Sequence, residues 1–385
     1  MPSSLISDSR NMPSSYREMP LQTDNRPYSQ SLFWIHQKRG EMGFGVEALV
    51  SMLMVATLSS FAAAVPQVPC YFVFGDSLMD NGNNNDLVTN AKSNVPPYGI
   101  DFPDGPTGRF SNGRNTADAI AQLLGFESYI PPFATAKPEE ISRGGGRISM
   151  NQQLINHATT ISRLNGSSSQ VQKHLNKCIY TVTMGNNDFI NNYFLPQYYQ
   201  TNTLYTPQEY ANILVQQYTQ QLSKLHQQGA RMFGIAGAGY SGCAPAIMTR
   251  YKTNVCVDEV NLAVLEFNTR LVTALKGLES RLFGSKFIFI EPSLGYSSDF
   301  SVTDKPCCIV STTIEGEGQC IPNEVPCSGR EKYVFWDAFH PTEGVSLVEG
   351  ARIYKALSPF YGLKTNAASM AASIALSEVA EVDEI

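Results

Sequence analysis

The chain has 385 residues, a formal net charge of −6 and 43% hydrophobic residues. That is enough apolar material for one large buried core. Acidic and basic residues are interspersed, so no basic block marks a nucleic-acid partner, and the acidity is too mild to define a ligand.

Residues 1–41 are rich in Ser, Pro, Gln and Arg with little periodicity. They read as a disordered extension or as an upstream misreading of the start. Residues 46–64 are mostly apolar and small, Lys38 and Arg39 precede them, and Ala62-Ala63-Ala64 offers small residues for cleavage. With Met42 as its start, residues 42–64 have the layout of a secretory signal peptide. A membrane anchor is the rival, but Glu47 and several Ser and Thr weaken the run as a stable membrane span. The mature chain is therefore expected to be secreted, into the extracellular space or the cell wall.

A main domain is expected over 65–362. Cys70 to Phe74 is aromatic and β-branched, ends at Gly75 and reads as a buried strand. Residues 81–114, rich in Gly, Asn and Pro, read as a long functional loop. Thr116 to Leu124 has helical spacing and stops at Gly125. Cys178 to Met184 is a second strand running into Gly185. Pro207 to Gln228 follows as a helix, with Pro207 in its first turn and Gly229 after its end. Met232 to Gly237 is a third strand, Val257 to Leu282 a long helical stretch, and Lys286 to Ile290 a fourth strand. Tyr333 to Phe335 is strand-like, and a final helix is expected to follow Pro341. Residues 363–385 form a tail made acidic by Glu378, Glu381, Asp383 and Glu384, and read as a frayed surface helix.

Strands alternating with helices imply parallel βαβ units in a layered α/β sheet. Ligands of such sheets sit at the carboxyl ends of the strands. Gly75-Asp76-Ser77 and Gly185-Asn186-Asn187-Asp188 both lie just past a strand, so both reach that edge. There is no internal repeat, phosphate-binding glycine loop or dinucleotide fingerprint.

All eight cysteines follow the signal-like run. In an oxidising compartment several would pair; the short-range options are Cys243 with Cys256, and Cys320 with Cys307, Cys308 or Cys327. The spacings match no common zinc pattern, and no His is expected beside them. Asn165-Gly166-Ser167 is a glycosylation sequon.

A Ser hydroxyl is protonated at neutral pH and needs a base within hydrogen-bond reach, usually a His oriented by a carboxylate. Of the five His, His36 precedes the signal-like run, His226 sits in a long polar helix, and His157 and His174 lie in Gln- and Asn-rich helical sequence without a motif. His340 differs, because Asp337 stands three residues before it in Trp336-Asp337-Ala338-Phe339-His340-Pro341. One turn could bring that carboxylate to Nδ1 and fix the tautomer. An Asp capping a helix beside an incidental His is the plainer alternative. Acyl transfer also needs oxyanion donors, for which the Ser77 N–H and the Asn187 amide are candidates; Asn187 could equally be a turn residue.

These pieces, in this order, resemble the GDSL esterases and lipases, whose core set is called SGNH hydrolases, and their plant branch most closely. Phe74-Gly75-Asp76-Ser77-Leu78-Met79-Asp80-Asn81-Gly82-Asn83-Asn84 is similar to the first block, Gly185-Asn186-Asn187-Asp188 to the third and Asp337-Ala338-Phe339-His340-Pro341-Thr342 to the fifth. Gly108-Arg109-Phe110-Ser111-Asn112-Gly113-Arg114, Gly229-Ala230-Arg231 and Gly242-Cys243-Ala244-Pro245 have plant counterparts. The resemblance spans about residues 69–360. It implies a three-layer α/β/α sandwich with a mostly parallel central sheet. It also implies Ser77 as nucleophile, His340 as base, Asp337 as its orienting acid, and Ser77 and Asn187 as oxyanion donors, with no metal or cofactor.

One departure matters. The second block of that family supplies a strand and a loop glycine whose N–H is a third oxyanion donor. Here Gly144 resembles its start and Gly146-Arg147-Ile148-Ser149 resembles sequence after its end, so the strand and loop between them are missing. An exon-skipped transcript or an incorrect gene model would explain both this gap and the odd N-terminus. The expected function is ester hydrolysis on a small acyl ester or lipid by a monomer. The rivals are a catalytically impaired relative on the same scaffold and an acyltransferase using the same residues.

Overall fold

A computed structural model describes residues 65–133, 148–292, 299–313 and 316–364. The signal-like run, the Gly144–Gly146 departure and the acidic tail lie outside the described residues.

The central sheet is built from short apolar runs. Strand β1 is Tyr71–Gly75, and the loop after it ends at helix α1, Thr116–Leu123. Asn115 caps α1 by a reciprocal bond with Asp118, which is why the helix begins there rather than drifting into the loop. Helices α2 (Met150–Ser162) and α3 (Ser168–Leu175) lead to β2, Ile179–Thr183, whose five residues are all buried. Helix α4 (Pro207–Gln227) opens with a Thr206–Glu209 capping box and Pro207 in its first turn. Strand β3 (Met232–Ala236), helices α5 (Pro245–Arg250) and α6 (Asp258–Arg281), and strand β4 (Lys286–Ile290) complete the pattern. The predicted strands, and the helices predicted over 116–124, 207–228 and 257–282, are found with ends shifted by at most one residue.

The strand order is β1-β2-β3-β4 and every pairing is parallel. Gly75 pairs with Thr183, Thr183 with Ala236 and Ala236 with Ile290, so the four carboxyl ends finish level. Side chains alternate between two cores. Phe74, Tyr180, Val182, Phe233 and Ile235 face α2, α4 and α6. Tyr71, Ile179, Ile288 and Ile290 face α1 and the last helix, α7, Glu343–Tyr361. This is the three-layer α/β/α sandwich with a parallel central sheet that the sequence implies.

A separate two-stranded parallel pair joins β5 (Val302–Pro306) to β6 (Tyr333–Phe335) and delivers the Asp337–His340 segment to the same edge. The final helix follows Pro341 as expected, although Pro341 is not its first residue. Pro341 bridges back to Phe335, and α7 begins at Glu343 after an extended Thr342. Among the described residues no helix is long and apolar enough to cross a membrane.

Strand β1 has a strand neighbour on one side only, among the described residues. On the other side the Gln153 side chain pairs with Gly75: Gly75 N–H donates to Oε1 at 3.0 Å and Nε2 donates to Gly75 O at 2.8 Å. An amide side chain thus stands in for one residue of a neighbouring strand.

Candidate active site

Ser77 begins a single 3₁₀ turn at the end of β1, and Asp76 caps that turn by accepting the Leu78 N–H at 3.0 Å. The turn projects the hydroxyl out of the sheet edge. The side chain of His340 meets it: Nε2 lies 2.7 Å from Ser77 Oγ. On the other ring nitrogen, Nδ1 lies 2.7 Å from Asp337 Oδ2 and 2.9 Å from Oδ1. Asp337 is fully buried and His340 only 7% exposed. Asp337 Oδ1 also accepts the Phe339 and His340 N–H groups, each at 2.8 Å. An Asp that folds the chain back on itself in this way does two jobs, shaping the turn and aiming the carboxylate at the imidazole. Because backbone N–H groups can only donate, Asp337 is the acceptor, Nδ1 carries the proton and Nε2 is left to accept from Ser77.

The oxyanion candidates lie across the strand ends. Gly185, at φ +123°, turns the chain out of β2; the short turn Asn186–Asp188 follows. Asn191 Nδ2 donates to Asn187 Oδ1 at 2.6 Å. With its oxygen taken, the Asn187 amide has its NH₂ to offer. Among the described residues no hydrogen bond occupies the Ser77 N–H. Ser77, Asn187 and His340 share one cleft of about 1370 Å³. Hydrogen bonds thus join Ser77, His340 and Asp337, and Asn187 lines the same cleft as Ser77 and His340.

The family pattern of GDSL-like lipases/acylhydrolases matches residues 71–346. Three Arabidopsis thaliana proteins, each named a GDSL esterase/lipase, are similar over most of their length. One is 41% identical, covering 80% of this chain and 93% of the relative; a second is 39% identical with the same coverage. A third is 42% identical, covering 77% of this chain and 90% of the relative. The chain belongs to the GDSL-like lipase/acylhydrolase family. With it the chain belongs to the carboxylic ester hydrolases.

The same alignments bear on the gap in this GDSL protein. The first runs over 340 positions yet takes in 80% of 385 residues, about 308. The difference, 340 less 308, is some 32 positions that the relative fills and this chain does not. That is the size of a strand with its loops, and β1 is the strand whose outer neighbour is absent among the described residues.

Several contributors were not foreseen. Asn186 accepts the Gly239 N–H at 2.8 Å and the Ser241 hydroxyl at 3.1 Å, so it ties the turn after β2 to the loop after β3. Asp76 and Asp188 are half-buried, and the charge of the one acts on the other. Burial raises the Asp76 carboxyl above its ordinary range, against the Leu78 N–H, the His340 charge and the Asn186 amide. Asp188 is pushed up to about 6 by burial first and by Asp76 second. The loop 81–114 braces the site. Arg109 forms a two-bond pair with buried Asp118 at the start of α1, at 2.6 and 2.8 Å. Asn112 accepts the first N–H of α7, and Arg114 pairs with Glu343 beside it. A Cβ at Gly113 would fall 2.5 Å from the Glu343 carboxyl carbon, so a side chain there would push Glu343 from its place beside Arg114. Phe110 lies against the His340 ring at 4.7 Å.

The remaining His have other work. His157 is a core residue, bonded through Nδ1 to Gln228 and ringed by Phe72, Phe74 and Tyr180; burial lowers its pKa. His226 bonds the Phe283 carbonyl. The expectation that no His adjoins the cysteines fails at His174, whose Nε2 is 3.5 Å from Cys70 Sγ. Helix α3 puts it there, four residues before Cys178. Both sulfurs of that Cys70–His174–Cys178 group are used in a disulfide, so they are not thiolate ligands. The other pairs are Cys243–Cys256, Cys307–Cys327 and Cys308–Cys320. Two of these are among the short-range options; Cys70–Cys178 closes 108 residues and was not legible from spacing. Asn165 is exposed in the turn between α2 and α3.

Proposed function

We propose that this chain is a secreted serine ester hydrolase acting on a small acyl ester or lipid. Ser77 Oγ attacks the ester carbonyl while His340 Nε2 takes its proton, and Asp337 holds the imidazole and stabilises the charge it gains. The Ser77 N–H and the Asn187 amide receive the developing oxyanion. Collapse of the intermediate expels the alcohol, which takes the proton back from His340. Water then repeats the sequence and frees the acid. The observation that supports this reading most is the unbroken line from Ser77 Oγ through His340 to Asp337, with 2.7 Å at each link. Four disulfides fit an oxidising compartment and hence the extracellular space or the cell wall, and the chain is read as a monomer, with Asn165 as an accessible glycosylation site.

A second reading rests on a specific observation. The chain lacks some 32 positions that the relative fills, and among the described residues β1 has a strand on one side only, which favours a catalytically impaired relative on the same scaffold. Hydrolysis of a short-chain p-nitrophenyl ester, run beside Ser77→Ala with circular dichroism on both, separates the two. Turnover in the parent that vanishes in a folded Ser77→Ala chain is the expected result. A folded parent no faster than that control sinks the enzyme reading.

A further inference from the structure

Asp337 is held by more donors than its turn supplies. The two N–H bonds to Oδ1 are local, from Phe339 and His340. The bond to Oδ2 comes from the Tyr98 hydroxyl, 239 residues away in sequence, at 2.7 Å. Its direction is fixed. The Tyr98 oxygen accepts the Cys320 N–H at 3.2 Å, an N–H cannot accept, and so the Tyr98 proton is the one aimed at Asp337. Tyr98 is 1% exposed and does not line the cleft. Its ring meets Phe110 edge-on at 6.0 Å, and Phe110 is the ring that rests on His340. The Cys308–Cys320 disulfide anchors the segment that supplies the Cys320 N–H.

We propose that Tyr98 is a positioning residue for the Ser77–His340–Asp337 relay, holding the carboxylate of Asp337 in the plane that faces Nδ1. The proposal rests on the hydrolase reading above. A carboxylate pinned at one oxygen can still pivot about it. Oδ1 is pinned by the turn, and Oδ2 is the oxygen that takes the shorter bond from Nδ1. Tyr98 fixes that second oxygen. It also shares the Oδ2 lone pairs with His340, so it sets how strongly Asp337 draws on the Nδ1 proton. The pair Tyr98 and Phe110 thus lets one loop brace the acid and the base together.

Tyr98→Phe removes only the hydroxyl. The variant is compared with the parent for kcat and KM on a p-nitrophenyl ester, and for the downfield proton resonance of His340 Nδ1–H. The expected result is a fall in kcat of about tenfold, the value of one hydrogen bond to a charged group, KM within about twofold, and a displaced resonance. A resonance unmoved from the parent, whatever happens to kcat or to thermal stability, overturns the proposal. If Tyr98→Phe does not fold, 3-fluorotyrosine at position 98 keeps the test alive: its more acidic hydroxyl must move the same resonance, and no movement is again fatal. An inactive parent whose resonance responds to Tyr98 would sink the hydrolase reading and leave the positioning role standing.

Discussion

The two sides of the nucleophile are built to different standards. On the acid–base side, Asp337 accepts two backbone N–H groups, a buried Tyr hydroxyl and the imidazole, while Phe110 backs the His340 ring. On the oxyanion side, Asn187 is braced by a single side chain, Asn191, and β1 is open at its outer edge among the described residues. The contrast teaches that proton transfer and charge stabilisation are separable parts of one site, carried by different segments. The chain lacks some 32 positions that a relative fills, yet the acid–base side is complete. The sharpest way to break the comparison is to remove the well-built side. His340→Ala is expected to lower kcat by about 10⁴- to 10⁶-fold with the fold retained, because it deletes the base hydrogen-bonded to Ser77. Burst and steady-state kinetics on a p-nitrophenyl ester measure this, and a fall of less than tenfold would mean that the His340 bond to Ser77 is not used.

The thinner side should be less forgiving than its size suggests. Removing one oxyanion donor costs about 10²- to 10³-fold in kcat. Asn187→Ala is expected to fall within that range. The check is kcat for Asn187→Ala against Asn191→Ala. Asn191 only aims the amide, so its loss should be milder by about tenfold. Equal, small effects would show that the Asn187 amide is not an oxyanion donor.

What was legible in the sequence divides along the same line. Strand ends are readable because aromatic and β-branched runs stop at Gly75 and Gly185, and a layered parallel sheet then puts Ser77 and Asn187 on one edge. Asp337 and His340 are readable because a three-residue spacing closes one turn. Tyr98, Phe110 and Gln153 were not. Each acts on a residue between 78 and 239 positions away, and no local pattern distinguishes such a Tyr, Phe or Gln from any other. Strand β5, Val302–Pro306, also escaped, because three of its five residues are exposed and polar, without the alternation that marks a half-buried strand.

A pH scan sharpens the comparison further. Asp188 has a carboxyl pushed up to about 6 from an ordinary 3.8, through burial and then the Asp76 charge. A folded-state value above the unfolded one means the protonated form is favoured by folding. That contribution is fully present below about pH 4 and is lost as pH rises through about 6. It amounts to about 3 kcal/mol at most, from a shift of roughly two units. Asp188→Asn is therefore expected to be more stable than the parent at pH 7 by up to that amount, and indistinguishable from it near pH 4. Urea midpoints at the two pH values measure it; a gap that does not widen with pH would rule out Asp188 as its source.

The smallest effect concerns the open edge itself. Gln153 reaches from α2 to bond both polar groups of Gly75, two residues before Ser77. Each bond is worth about 1 kcal/mol net, and leaving a half-buried N–H and C=O without partners adds to that. Gln153→Ala should thus lower stability by about 1–3 kcal/mol, read from urea unfolding. Gln153→Leu should fare no better, because packing is not what the side chain supplies. The informative quantity is the split between stability and rate. If Gln153 only closes the edge, kcat falls by less than about threefold. A larger fall with unchanged unfolding would mean that the Gly75 peptide, and with it the Ser77 N–H, is aimed by this one amide.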